Sequence, residues 1–466
     1  MDGAIAPPSA GSGCHGGRDT MLAAAREAGK SAALDRLLTD YPRGPHDQPQ
    51  SMCPAFGSLR VGLRMRRVAT ILCGSACCVY GLTFTSHFYG ARRTVGYVPF
   101  NSESLVRGEL YEDIRNAVIE LAKPDDCDAV VVINLCVPTA SGVPLDRLPK
   151  TIDGVRVIGI DVPGFGVPTH AEAKDVLAGA MLRYARLEAE AGPVSRPRAL
   201  VEDQSTVALI GELFPADPVG VGALLAPLGL AVAPQVPSRE WRDLYGALDC
   251  AAAAALHPFY VASIREFGAA GRPVVGSGPV GVDGTAAWLE AIGAAAGVAR
   301  SQIDAAKAHA LPAIRGALEA HPIGARITVS GYEGSELLVA RLLIEAGAEV
   351  PYVGTACPRT EWSTADCDWL QAHGAHVEYR ASLEQDIAAM QEVRPDLAVG
   401  TTPLVQRAKS LGIPSLYFTN MVSARPLFGP AGAAALAGIV AAQTAGRERY
   451  ARMVGFFDKV GTLVKP

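Results

Sequence analysis

Charge is scarce in this chain. Only 19% of its 466 residues are Asp, Glu, Lys or Arg, and the 42 basic and 47 acidic side chains nearly cancel, to a net −5. That composition excludes a disordered polyelectrolyte and gives no electrostatic reason to expect nucleic acid. Cysteine is sparse too. Ten thiols in a chain this long do not make a disulfide scaffold, and suit free thiols in a reducing cytoplasm or metal ligands. Long apolar runs are missing. The longest, from Val68 to Phe84, is interrupted by Gly74, Ser75 and Gly81, and is shorter than the roughly 20 residues of a membrane helix. It reads as a buried strand, turn and helix, so no membrane span is expected. The opening MDGAIAPPSAGSGCHGGRDT has no basic region followed by an apolar one, and reads as a disordered tail rather than a secretory leader. A usable P-loop is absent as well. Gly29-Lys30-Ser31 carries the end of that motif, but Ala24 stands where its first glycine belongs, and the surroundings are helical in pattern. No nucleotide is expected on this chain, and any coupling to ATP needs another subunit.

What is present is apolar residues, glycine and proline in abundance: 49% hydrophobic, with 49 Gly and 33 Pro. Strand-like and helix-like segments alternate, which predicts α/β units with parallel sheets. The expected fold is three Rossmann-like parallel-sheet domains. A tail and helix occupy 1–46, with the helix over Thr20–Leu38. The first α/β domain spans 47–195, with a loop over Asp47–Gly57, strands at Val68–Leu72, Ala129–Leu135 and Val155–Val162, and helices at Ser104–Ala122 and His170–Glu190. The second spans 205–322, with strands at Thr206–Ile210, Cys250–Leu256 and Pro273–Gly276 and a long helix Ser301–Ala320. The third spans 323–430, with strands at Arg326–Ser330, Glu349–Val353, His376–Tyr379, Leu397–Gly400 and Ser415–Phe418; 431–466 is expected to be helical.

Ligands of such sheets bind beyond the carboxyl ends of the strands, so chemistry is sought there. Gly276-Ser277-Gly278-Pro279-Val280-Gly281 matches G-x-G-x-x-G after a strand. Pro279 lacks an N–H to cradle a pyrophosphate, and the next helix is expected only at Asp283–Thr285, so the motif reads as a Gly-rich turn. Three cysteines are better placed: Cys53 in CPAFG, Cys78 in GSACCVYG and Cys136 in NLCVPTASG, all on expected loops at one edge of the first sheet. Thiolates are the soft donors that iron–sulfur clusters take, normally four, although no C-x₂-C spacing is present. Cys73, Cys127, Cys250, Cys357 and Cys367 read as buried hydrophobes. Tyr80, Phe84 and Phe88 recur at helical spacing, as a core stripe or as a wall for a flat apolar ligand. His87 lies on another face and reads as a solvent or capping residue, with a proton donor as the alternative. Arg60, Arg64, Arg66, Arg67, Arg92 and Arg93 form either a solvated face or a carboxylate-binding patch. The loop Pro163–Pro168 turns the chain or touches a partner. Glu333 is expected in the first turn of a helix, where it suits the dipole without a chemical role.

Several long blocks carry a resemblance: CPAFGSLRVGLRMRRVATILCGSACCVYG, VVVINLCVPTASGVPL, VIGIDVPGFGVPTHAEAKDVLAGAM, SGYEGSELLVARLLIEAGA and GTTPLVQRAKSLGIP. They resemble the Y-subunit family of chlorophyllide a reductase, among the nitrogenase-like reductases, over roughly residues 50–430. The resemblance implies the nitrogenase-component fold, and a heterotetramer with subunit Z. It also implies a separate ATP-hydrolysing iron protein, subunit X, that delivers electrons singly. A [4Fe-4S] cluster held by Cys53, Cys78 and Cys136, with a fourth ligand on subunit Z, would then serve reduction of the C7=C8 bond of ring B of chlorophyllide a. Other readings are the N subunit of dark-operative protochlorophyllide reductase, a non-catalytic scaffold for nitrogenase-cofactor assembly, and an NAD-dependent oxidoreductase resting on Gly276–Gly281.

Overall fold

A computed structural model describes residues 53–88, 95–195, 204–211 and 217–446, with single residues between 450 and 455. The tail, the helix expected over Thr20–Leu38, Cys14 and Gly29-Lys30-Ser31 lie outside these residues, as do Arg92, Arg93 and the side chain of Phe88.

Three sheets follow one another along the chain. The first unit runs α1 (Ala55–Arg64), β1 (Val68–Cys73), α2 (Ala76–Phe88), β2 (Val95–Val98), α3 (Ser102–Arg107), α4 (Leu110–Leu121), β3 (Ala129–Asn134), α5 (Cys136–Ala140), β4 (Thr151–Ile152), β5 (Val155–Asp161) and α6 (His170–Ala191). Its strand order is β2-β1-β3-β5-β4, parallel except for the short antiparallel β4. The second unit is β6 (Thr206–Ile210), α7 (Pro218–Leu225), β7 (Ala231–Val232), α8 (Trp241–Leu248), β8 (Ala252–Ala255), α9 (Val261–Ala269), β9 (Val274–Gly276), α10 (Gly281–Ala295) and α11 (Arg300–Glu319), ordered β7-β6-β8-β9. The third is β10 (Arg326–Gly331), α12 (Glu336–Glu345), β11 (Glu349–Thr355), α13 (Thr364–Ala372), β12 (His376–Tyr379), α14 (Leu383–Val393), β13 (Leu397–Gly400), α15 (Thr402–Ser410), β14 (Ser415–Tyr417), α16 (Phe418–Ser423) and α17 (Gly429–Ala445), ordered β12-β11-β10-β13-β14. The expected class, α/β with three parallel-sheet units, is what the chain adopts.

The apolar runs become central strands because helices cover both faces of each sheet. All six residues of β3, AVVVIN, are buried. In every sheet the chain first steps from the opening strand to one side and then returns to the other. The order therefore reverses between β1 and β3, between β6 and β8, and between β10 and β13. Such switch points open crevices beyond the strand ends, and both sites described below lie at them.

Local differences from expectation have identifiable causes. The single helix expected over Ser104–Ala122 is two. Asn101 and Ser104 form a capping box on α3, and Gly108 then takes φ +72°, which ends it before α4 begins. The loop expected to reach Gly57 stops short, because α1 starts at Ala55. Helix α10 starts at Gly281 rather than Asp283. Its first N–H groups, Val282 and Asp283, donate to the carboxylate of Glu345. The anion position at that helix end is thus filled from within the protein, which is the physical reason the G-x-G-x-x-G segment is only a turn.

Candidate functional site

The first crevice belongs to β1 and β3. Strand β1 ends at Cys73, and α2 follows after Gly74 and Ser75, which puts Cys77 and Cys78 in its first turn. Strand β3 ends at Asn134, and Cys136 opens α5. Cys53 lies just before α1 and accepts the first turn bond, Phe56 N–H to its carbonyl at 3.0 Å. The three cysteines expected on loops therefore sit at the starts of three helices, where exposed N–H groups and the dipole favour a thiolate.

The sulfurs interact. Burial is the main force that raises the Cys53 thiol; the Ala55 N–H pulls it back and Cys136 pushes it further up. Cys78 is pushed up to about 12, first by loss of solvent, then by Cys77, then by Cys53 and Cys136. Thiols that stand close enough for one to raise another need a nearby cation to ionise together. The donor chemistry suits iron. The sulfurs are soft, and Cys136 Sγ accepts the Gly164 N–H at 3.1 Å, the kind of amide bond that tunes cluster thiolates. The Pro163–Pro168 loop thus touches the site through its backbone. Among the described residues, no three His, Cys, Asp or Glu side chains are set to hold a single metal ion. A four-iron cluster is a wider body, and each thiolate binds a different iron.

The face beside the thiols is open and aromatic. Tyr80 and Phe84 are 73% and 61% exposed, and their rings stack at 6.2 Å with planes 19° apart. The core-stripe reading fails for these two, and so does the buried helix expected at the end of the Val68–Phe84 run. His87 bonds the Thr83 carbonyl of its own helix at 2.8 Å, as a surface residue does. Cys73, Cys127, Cys250, Cys357 and Cys367 are all buried, as expected. Of the arginines, Arg66 pairs with Glu240 at 3.0 Å. Arg67 pairs with Asp128 at 2.8 Å and also holds the Pro124 and Asp125 carbonyls. The Arg66 pair ties the first unit to the second, and Arg67 ties β1 to the turn before β3 within the first unit. Arg60 lies over the Phe56 ring at 5.8 Å.

A second assembly was not visible in the sequence. Where the three units meet, the chain buries His170 and Lys174 from α6, His257 from the end of β8, and Glu336 from the start of α12. Glu333, beyond β10, is almost as deep, its side chain 13% exposed. It precedes α12 rather than starting it, contrary to expectation. Its carboxylate stands 3.4 Å from His170 Nε2. Burial alone would raise its pKa, but His170, Lys174 and His257 outweigh that and hold it at about 2. Glu336 is pushed up to about 7, chiefly by burial, although it accepts the Glu333 and Gly334 N–H groups and the Thr355 hydroxyl. Helix α1 reaches this junction closely: a Cβ on Gly57 would come within 1.8 Å of the His170 carbonyl oxygen, so only glycine fits. Glu172 and Arg380 close one side, with two bonds of 2.6 and 2.8 Å. One sequence signal was available. His257 and Glu333 follow strands at the switch points of the second and third sheets, where ligands collect.

The fold and the family agree. The nitrogenase component 1 type oxidoreductases match residues 53–444, and the chain belongs to that family. Its curated relatives narrow the likeness. It is 69% identical over 449 residues to the chlorophyllide reductase 52.5 kDa chain of Cereibacter sphaeroides, covering 96% of this chain and 89% of that one. It is 65% identical to the chain of the same name from Rhodobacter capsulatus, covering 97% and 91%. It is 25% identical to the light-independent protochlorophyllide reductase subunit N of a Roseiflexus species, over 70% and 75% of the two chains. A solved structure titled nitrogenase Cp1 at pH 6.5 superposes with a TM-score of 0.68 at 16% identity, covering 86% of this chain and 93% of that one. Among the described residues no helix is long and apolar enough to cross a membrane.

Proposed function

We propose that the chain is the thiolate-bearing catalytic subunit of a chlorophyllide a reductase. The reaction is a two-electron, two-proton reduction of the C7=C8 bond of ring B. Cys53, Cys78 and Cys136 hold three irons of a [4Fe-4S] cluster, and the fourth ligand comes from subunit Z across the open face. A separate ATP-hydrolysing iron protein, subunit X, supplies the electrons, and the assembly acts in the cytoplasm. When bound, the cluster passes electrons singly at a potential set by its thiolates, their hydrogen bonds and its burial. The chain's own part is to present three thiols from three helix starts, with the Gly164 N–H on one of them. It also offers an apolar aromatic wall of Tyr80 and Phe84 to a flat macrocycle.

The observation that carries this reading is the convergence of the three thiols beside an exposed aromatic pair, in a chain so similar to chlorophyllide reductase chains. The protochlorophyllide and scaffold readings lack that degree of likeness. The test is to purify the chain anaerobically with its Z partner and add the iron protein, MgATP and chlorophyllide a. Growth of a bacteriochlorin absorption band supports the proposal. Turnover of protochlorophyllide in its place, or a cluster-bearing complex that reduces neither pigment, refutes it.

A further inference from the structure

The charged side chains along the C-terminal half of α6 fall into two sets. Arg156 holds Glu188 with two bonds of 2.8 and 2.9 Å, and Glu188 also accepts the Trp241 and Tyr245 donors at 3.1 and 2.7 Å. Arg186 holds Glu266 at 2.9 Å and Glu190 at 2.6 Å. The carboxylates here are thus matched within the protein. Lys150, Arg183 and Arg265 are not. None of the three has an ion pair among the described residues, and all are exposed.

All three cations line one cavity of about 660 Å³ between the first and second units. That size lies within the roughly 300–1,000 Å³ of small-molecule sites. Most of the remaining lining is apolar: Val157 and Ile158 from β5, Ala180 and Leu187 from α6, and Ala262 from α9. Leu187 is 48% exposed, so apolar surface is left open beside the unmatched charges. The two helices meet where Gly179 faces Ala262, since a Cβ on Gly179 would come within 2.6 Å of the Ala262 side chain. Tyr184 is fixed in the lining, its hydroxyl donating to the Lys150 carbonyl at 2.7 Å and its ring edge-on to Trp241 at 5.6 Å. Arg183 lies roughly 20 Å along α6 from its start at His170, so the cavity is separate from the thiol crevice and from the buried junction.

We propose that this cavity binds an amphipathic carboxylate, with its apolar body against β5, α6 and α9 and its charged end on Arg183, Arg265 and Lys150. Charge complementarity carries the assignment. The acidic groups of the lining already have partners, so the charge left over is positive, and guanidinium forks suit carboxylates. The apolar lining sets the other half of the ligand's chemistry. A fatty acid and the free carboxylate of a tetrapyrrole both have it. Because Arg183 belongs to the first unit and Arg265 to the second, the ligand bridges the two and stabilises their arrangement. The inference does not depend on the reductase reading above.

The experiment titrates the full chain, alone and in complex with its partner subunits, with dodecanoate. Calorimetry and Trp241 fluorescence are the readouts. Dodecanoate should saturate a single site per chain and raise the melting midpoint. The double variant Arg183→Ala/Arg265→Ala should bind it about tenfold more weakly, as the loss of two exposed ion pairs allows, and with less dependence on salt. Dodecanol, the same chain without the charge, should bind wild type and double variant alike. Leu187→Glu, which sets a carboxylate in the lining, should abolish dodecanoate binding. Chlorophyllide a that displaces dodecanoate identifies a tetrapyrrole as the occupant, and dodecanoate that stays bound identifies a fatty acid. Dodecanoate that fails to saturate, or that binds the double variant as tightly as wild type, overturns the proposal. So does binding to the chain alone but not to the complex, which would mean that a partner subunit covers the cavity. Chlorophyllide turnover is measured separately and should be unchanged in both variants, so neither failure bears on the reductase reading.

Discussion

Phe84→Ala separates a ligand-facing aromatic from a core one. A fully buried Phe replaced by Ala costs about 3–5 kcal/mol. Phe84, however, is 61% exposed. Full burial of such a side chain is worth about 1.5–3 kcal/mol, so the covered two-fifths contributes about 1. The stacked contact with Tyr80 adds about 0.5–1.5 kcal/mol. Alanine returns about 0.5 through better helix propensity. The net cost to the isolated chain is then about 1–2 kcal/mol, measurable as a modest shift in a urea unfolding midpoint. Chlorophyllide affinity, read by absorbance titration of the complex, should fall at least tenfold. A stability loss of 3 kcal/mol or more together with unchanged affinity would show that the ring packs the protein rather than the pigment.

Cys53→Ser, Cys78→Ser and Cys136→Ser should each lose iron and the reduced-state EPR signal, because a hard oxygen replaces a soft thiolate; Cys73→Ser, Cys77→Ser and Cys250→Ser should keep both. Full iron in Cys53→Ser or Cys136→Ser would remove the cluster from this site, and full iron in Cys78→Ser beside none in Cys77→Ser would transfer that ligand to its neighbour. Calorimetry should detect no stoichiometric MgATP site on the isolated chain, and a micromolar site would contradict the reading of Gly29-Lys30-Ser31. Stability should also depend on pH with two opposite signs. Glu333, held at about 2 against an ordinary 4.5, contributes stability above pH 4.5 that is lost as the pH falls toward 2, at most about 3 kcal/mol. Glu336, raised to about 7 from 4.5, contributes stability below pH 4.5 that is lost as the pH rises through 7. Denaturation of wild type against Glu333→Gln at pH 3 to 5 checks the first: a slope unchanged by the substitution would mean that Glu333 is not charged in the fold.

Much of the architecture was legible because parallel strands are buried on both faces. VATILC and AVVVIN announce themselves as apolar runs. The short edge strands Val95–Val98, Thr151–Ile152 and Ala231–Val232 did not, since two to four half-exposed residues carry no pattern. The helix expected over Ser104–Ala122 ran through Gly108 because its apolar period continues across the break; only the backbone φ reveals the stop. In the site, the cysteines stood out by residue type and by their nearness to strand ends, but their grouping came from resemblance, because positions 53, 78 and 136 are joined by sheet topology and not by spacing. The junction charges were missed for the same reason, more severely. His170, His257 and Glu333 come from three units, and each alone looks like an ordinary residue near a helix start.

Two places in this protein reverse the usual distribution of side chains, and both are crevices at strand ends. On the open face, large rings stand in water beside thiols that resist ionisation. At the junction, charges stand in the interior beside rings. Each reversal costs free energy in the chain alone: the exposed rings forgo burial, and the buried ions forgo solvent. The two are joined by α1, which begins next to Cys53, places Phe56 against His170 and lays Gly57 on the His170 carbonyl. A sequence that agreed with its fold at every level would fill the first place with polar residues and the second with leucine. That it does neither, at the two ends of one helical turn of α1, sets these two crevices apart from the rest of the fold as the places where a free-energy cost is kept rather than removed.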